Sequence, residues 1–354
     1  MRSHTINAAA CIRMVYIFTG IFISLFTIMH QETMADTSGT TAKALPGEVW
    51  VATVTLTAEF ESPKDAIGPT VDERIDRVLK RMEEVVPYHP DIICLSEVFA
   101  TTGIKNLPPL DEVAETVPGP IIRRFATFAK TNKCYVICPV YTKHDGHIFN
   151  SAVLIDRNGK VVGQYDKINP TEGEIEKGIS PGPVDPPVFT TDFGKIGMQI
   201  CFDANWPENW RKLKEAGAEI VFWPSAFAGG TMLNSLAMNN SYYIVSCTRH
   251  EPARIVGMTG KDIAATGRLQ SWVCAPLNLD KEVFHWDFQH RKFKEIQAKY
   301  GRKVGYEIAH PEGWFTLESR SPDVSVDKII KEFDLVTYDE YIHRATVEQN
   351  KNRP

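Results

Sequence analysis

Three short apolar runs in this 354-residue chain each stop on a reactive side chain: DIICLSE ends on Glu97, VVGQYDK on Lys167 and KIGMQIC on Cys201. DIICLSE and KIGMQIC are apolar nearly throughout rather than alternating, as expected of strands covered on both faces. Such strands require layers above and below them, which points to an α/β fold of mixed sheets covered by helices. If the three strands share one core, their carboxyl ends meet at one edge, where ligands bind in folds of this kind. A side chain at that position is held by a rigid strand yet stays reachable.

The rest of the chain agrees with layered strands and helices. EVWVATVTL (48–56), CYVICPVY (134–141), AEIVFWP (218–224) and YYIVSCT (242–248) read as strands. Val71, Ile75, Val78, Leu79, Met82, Val85 and Val86 fall on one helical face, and 121–130 and 231–240 are also helix-like. FNSAVLID and VVGQYDK flank Arg157-Asn158-Gly159-Lys160, the signature of a hairpin turning on Asn-Gly. After Cys201, a helix starting near Asp203, Asn205 and Pro207 ends at Gly217.

At the amino end, residues 14–29 carry no charge and follow Arg2 and Arg13. This is the pattern of an export signal or an apolar anchor, which places the protein in the periplasm or outside the cell. The expected organisation is an export segment at 1–35, a linker at 36–47, a catalytic domain at 48–285 and a C-terminal arm at 286–354. That last stretch is charged and irregular, and is expected to pack on the domain or on a partner subunit.

The three strand-end residues complement each other chemically. A thiol attacks well as thiolate, a carboxylate can take its proton, and an ammonium beside it lowers its pKa. Lys167 could also hold the oxyanion of a tetrahedral intermediate, and a helix start after Cys201 would favour negative sulfur. Taken singly, each residue has an ordinary reading: a solvated strand end for Glu97 or Lys167, an inert core thiol for Cys201. Cys94, Cys134, Cys138 and Cys247 lie in apolar strand-like runs and read as such core thiols. No cysteine or histidine pair has zinc spacing, so neither a metal nor another cofactor is expected. The formal net charge of -5 offers no basic excess for nucleic acid.

Three segments together resemble the carbon–nitrogen hydrolase, or nitrilase, superfamily in its amidase and carbamoylase-like branch: DIICLSEVF, NSAVLIDRNGKVVGQYDKINPTEGEIEKGISPG and GKIGMQICFDANWPENWRKLKEAGAEIVFWPSAF. The resemblance covers roughly residues 48–280. It implies a four-layer α-β-β-α sandwich, a Glu97-Lys167-Cys201 triad and protomers that pair as a homodimer or larger assembly. It also implies a second glutamate after the lysine. Glu176 is the expected residue, because Glu176-Lys177 precedes Pro181-Gly182, with Glu174 the nearest competitor.

The implied reaction is hydrolysis of a non-peptide carbon–nitrogen bond through a thioester. Nitrile hydrolysis, acyl transfer and a silent binding protein are the alternative readings of the same scaffold. Relatives that act on N-carbamoyl-D-amino acids carry two arginines before the tryptophan of this motif. Ala204 and Asn205 stand there in this chain, which favours a neutral amide or carbamoyl substrate. Phe202, Trp206 and Phe227 are the expected substrate contacts, whereas Trp223 is expected to be core.

Overall fold

The computed structural model describes residues 45, 47–56, 70–250, 252–267 and 269–354. The expected export segment and most of the linker lie outside the described residues. The first half runs β1 (Glu48–Val54), α1 (Val71–Val85), β2 (Ile92–Leu95), α2 (Leu110–Val113), α3 (Pro120–Asn132), β3 (Tyr135–His144), β4 (His147–Ile155) and β5 (Val161–Asp166). The second runs α4 (Glu172–Glu176), β6 (Val188–Thr190), β7 (Lys195–Met198), α5 (Pro207–Glu215), β8 (Ile220–Ser225), α6 (Thr231–Asn240), β9 (Tyr243–Thr248), β10 (Arg254–Val256), β11 (Asp262–Ala265) and β12 (Trp272–Asn278).

Two six-stranded sheets result, ordered β12-β1-β2-β3-β4-β5 and β11-β10-β9-β8-β7-β6. Each has a parallel centre, β1-β2-β3 in the first and β7-β8-β9 in the second. Alternate residues of every central strand face opposite layers. Ile92 and Cys94 of β2 meet Met198, Phe222 and Val245 of the other sheet in the core between the sheets. Ile93 and Leu95 point the other way, onto Ile75, Val78 and Met82 of α1 and Phe125 of α3. The second sheet does the same with Val221, Trp223 and Ile244 against Trp210 of α5 and Leu233 of α6. This is the expected four-layer sandwich, and it explains why the strands read as unbroken apolar runs.

Local chemistry sets the joints. Thr70 caps α1 by accepting from the Glu73 amide, with Asp72 and Glu73 in the first turn where the helix dipole favours acids. The expected hairpin joins β4 to β5, and Gly159 sits at φ +78° with no room for a side chain: a Cβ would lie 2.6 Å from the Ala126 carbonyl oxygen.

The stretch read as an irregular arm is ordered. β13 (Lys281–His285), α7 (His290–Tyr300), β14 (Val304–Ala309), β15 (Trp314–Ser319), α8 (Val326–Phe333) and α9 (Tyr338–Lys351) follow one another. The three strands form an antiparallel sheet ordered β13-β15-β14. One side buries Phe284, Ile296, Phe315, Leu317 and Ile329 in a core of its own, while Val283, Ala309 and Trp314 join the core between the main sheets. A boundary after residue 285 would therefore separate β13 from its partner β15. The pattern hides because β14 is an edge strand that exposes Tyr306 and Ile308. No helix among the described residues is long and apolar enough to cross a membrane.

Candidate active site

Glu97 lies two residues beyond β2, Lys167 follows β5 directly, and Cys201 lies three residues beyond β7. The first two come from one sheet and the third from the other. All three line one cavity of about 630 Å³ at the carboxyl ends of these strands. The expected convergence of three strand ends is what the structure shows.

Lys167 is 1% exposed and forms the hub. Its Nζ donates to Glu97 Oε1 at 2.9 Å and to Glu174 Oε2 at 2.8 Å and Oε1 at 3.0 Å. Burial alone would drive the proton off this ammonium, but Glu97 and Glu174 more than offset that and raise its pKa. For Glu174, burial works against the anion, yet Lys167 and the neighbouring donors hold its carboxyl below the ordinary range. The lysine is therefore a fixed cation at neutral pH.

The second glutamate needs correcting. Glu174 meets Lys167, whereas Glu176 is exposed. The reason is local. Thr171 and Glu174 form a capping box at the start of α4: Thr171 Oγ1 accepts from the Glu174 amide, and Glu174 Oε2 accepts from the Thr171 amide at 2.8 Å. The box turns that carboxylate inward, and Glu176, two residues on, is carried to the outer side of the turn. The Thr-x-x-Glu spacing of 171–174 is a recognised capping signature, and it was the signal available in the sequence.

Asn150 and Arg249 were missed altogether. Asn150, on β4 beside Lys167, donates from Nδ2 to Glu97 Oε1 at 2.9 Å and Glu174 Oε1 at 2.8 Å. Its backbone carbonyl accepts from the Lys167 amide at 2.9 Å. Arg249, directly after β9, reaches Glu97 Oε2 at 3.2 Å. Asn150 lies inside an apolar strand and Arg249 just beyond one, and nothing in their spacing marks either.

Cys201 opens a 3₁₀ turn, Cys201–Asn205, with φ +47°, and Val98, next to Glu97, has φ +38°. Non-glycine residues held in this region cost about 1–3 kcal/mol each, and such strain gathers at functional sites. The expectation of a lowered thiol pKa is corrected. Burial and then Glu97 push Cys201 up to about 11, against the smaller opposing effects of Lys167 and of hydrogen bonds from Ala226 and Ser225. At rest the sulfur keeps its proton. Nor does Asp203 cap the following helix. Fully buried, it accepts from the Ile200 amide at 2.9 Å, Tyr165 Oη at 2.7 Å, and the Asn169 amide at 2.8 Å. It thereby ties the turn that carries Cys201 to the segment that carries Lys167.

Of the expected substrate contacts, Phe202, Trp206 and Phe227 are not among the residues that line this cavity. Phe202 stacks edge-on with Trp206, and Phe227 packs on Trp223, which is core as expected. The 3₁₀ turn swings Phe202 outward, leaving it 36% exposed. The cavity lining includes Val98, Leu107, Leu110, Tyr141 and Ala226, with Thr101, Thr102, Thr171, Lys177 and Arg249. Among the described residues, no cluster of histidine, cysteine and acidic side chains is placed to hold a metal ion.

Fold and site together define a two-sheet α/β sandwich whose cavity gathers a thiol, two carboxylates and a buried ammonium. The carbon-nitrogen hydrolase family matches residues 66–281, and this chain belongs to it. Over 151 residues it is 32% identical to a beta-ureidopropionase of Arabidopsis thaliana, covering 39% of this chain and 37% of that protein. It is 29% identical over 178 residues to a deaminated glutathione amidase of Synechocystis, covering 42% of this chain and 65% of that one. Among solved structures it resembles a carbon-nitrogen hydrolase from Helicobacter pylori (TM-score 0.57, 17% identity, 72% of this chain and 94% of that chain). It also resembles an amidase from Nesterenkonia (TM-score 0.56, 18% identity, 73% and 100%).

Proposed function

We propose that this chain is a thiol hydrolase that cleaves the non-peptide carbon–nitrogen bond of an amide or N-carbamoyl compound through a thioester on Cys201. The meeting of Cys201, Glu97, Lys167 and Glu174 in one cavity carries this reading. A thiol that rests protonated needs a base at the moment of attack, and Glu97 is the carboxylate that raises it. Glu97 takes the proton as sulfur bonds to the carbonyl carbon, and Lys167 with the backbone N–H that follows Cys201 stabilises the oxyanion. Collapse breaks the carbon–nitrogen bond, with Glu97 passing its proton to the departing nitrogen. Water then attacks the thioester, Glu97 again taking a proton, and a carboxylic acid leaves with the thiol restored. A carbamoyl compound yields a carbamic acid at that step. Glu174 and Asn150 keep Lys167 and Glu97 in register throughout.

The names borne by the amidase and ureidopropionase relatives support this bond type. The case for a neutral substrate loses its basis: neither Ala204 nor Asn205 lines the cavity, whereas Lys177 and Arg249 do. The experiment is ammonia release from a panel of primary amides and N-carbamoyl amino acids, with iodoacetamide labelling of the same protein. Turnover lost in Cys201→Ala, and a hydroxamate formed when hydroxylamine intercepts the thioester, are the expected results. Turnover that survives in Cys201→Ala defeats the proposal. Export of the mature chain and pairing of protomers remain part of the same proposal, checked by sequencing the secreted amino terminus and by light scattering.

A further inference from the structure

The two oxygens of Glu97 have different surroundings. Oε1 accepts from Lys167 Nζ and from Asn150 Nδ2, both at 2.9 Å. Among the described residues, Oε2 has one partner, Arg249 Nη2 at 3.2 Å. Arg249 also donates from Nε to the Glu97 backbone carbonyl at 3.3 Å, so it grips both ends of the residue. The arginine is itself anchored: its amide donates to the Ser225 carbonyl, and its carbonyl accepts from the Leu56 amide, each at 3.1 Å. It reaches Glu97 from the opposite sheet and lines the cavity.

We propose that Oε2 is the proton-carrying oxygen of Glu97, and that Arg249 is the positioning residue that aims it. Oε1 already accepts two short hydrogen bonds, one from an ammonium, and is the poorer site for a third hydrogen. Oε2 has spare lone pairs and a longer, weaker bond. Among the described residues, the charged and titratable groups around Glu97 include Lys167 beyond β5, Glu174 on α4, Cys201 beyond β7, Tyr141 on β3 and Arg249 beyond β9. The lysine is shared between both carboxylates. Arg249 supplies a second cation that Glu97 does not share with Glu174.

This inference rests on Cys201 being the nucleophile, and one experiment separates the two. The rate of iodoacetamide alkylation of Cys201 at pH 7 is followed by mass spectrometry in the full-length protein, alongside Arg249→Gln, Arg249→Lys, Glu97→Gln and the double variant Glu97→Gln/Arg249→Gln. Circular dichroism checks that each variant folds. If Arg249 acts by aiming Glu97, Arg249→Gln should slow alkylation about tenfold in the wild-type background and have no further effect once Glu97 is glutamine. Arg249→Lys should lose a few-fold in rate, since an ammonium lacks the two-point grip of the guanidinium. Wild-type alkylation in Arg249→Gln overturns the inference, as does an equal loss in both backgrounds; should the glutamine variant fail to fold, a wild-type rate in Arg249→Lys overturns it. If wild-type protein is not alkylated at Cys201 at any pH, the reading of the nucleophile falls instead.

Discussion

The bodies of the strands and their carboxyl ends are built by opposite rules. Along β2, Ile92, Ile93, Cys94 and Leu95 are all fully buried in apolar layers, and alternation alone assigns each to its layer. A few residues on, Glu97 is almost as buried yet ionic, and Val98 is bent into the left-handed region. The same change occurs from Ile196 and Met198 of β7 to the strained Cys201. Burial is shared by the two regions; what differs is whether the buried groups are satisfied by packing or by one another's charge. The first arrangement stabilises the fold, while the second costs stability and positions a reaction.

The contrast is broken if one substitution in each region has the same effect. Cys201→Ala should lower turnover by at least about 10⁴-fold with little change in melting temperature, because it removes the attacking atom and little packing. Phe125→Ala, in the layer between α3 and the first sheet, should do the reverse. It should cost about 3–5 kcal/mol in denaturant unfolding and leave the activity of the folded fraction nearly intact. If Phe125→Ala lowered kcat as much as Cys201→Ala, the two regions would not be separable.

A smaller effect sharpens the contrast within the site. Glu174→Gln keeps the shape of the side chain but removes one of the two anions on Lys167, and should lower kcat by about 10²-fold, or roughly 2.7 kcal/mol. Glu176→Gln, two residues away and exposed, should stay within twofold of wild type in the same assay. Equal losses from both would contradict the capping-box placement of Glu174.

The division also explains what the sequence could tell. Strand bodies carry a periodic apolar signal, so DIICLSE, KIGMQIC and their layers were legible, as was the place of Glu97, Lys167 and Cys201 at the ends. The direction of a side chain beyond a strand depends on turn geometry, which periodicity does not record. Phe202 therefore looked like a cavity wall until the 3₁₀ turn carried it outward. Glu176 lost its place to a capping box two residues earlier. Asn150 acts within one sheet, and Arg249 from the opposite sheet, on a partner 53 and 152 residues away respectively, and no local pattern links such pairs. The thiol pKa went the wrong way because burial, invisible in one dimension, outweighs the lysine. The C-terminal strands were hidden for a related reason: an edge strand with one exposed face and charged neighbours yields no continuous apolar run.

The smallest effect lies where the two regions join. Tyr165, on β5, is buried among the core residues, yet its hydroxyl donates to Asp203 and accepts from Gln199 at 3.1 Å and the Ile168 amide at 3.3 Å. Tyr165→Phe keeps the ring and removes only this junction, so it should cost about 1–3 kcal/mol in stability. The cost should depend on pH. Burial first, against several hydrogen bonds, raises Asp203 from 3.8 to about 6. Between those values the native state holds a proton that the unfolded chain has released, so this residue makes stability fall as pH rises through that window. Removing the tyrosine donor raises the native value further and widens the window upward. Unfolding free energies at pH 5 and pH 7 should therefore diverge more in Tyr165→Phe than in wild type, with the variant weakest at pH 7. If the two proteins instead differ by the same amount at both pH values, the Asp203 carboxylate does not sense the hydroxyl. Tyr165 would then belong to the strand body alone.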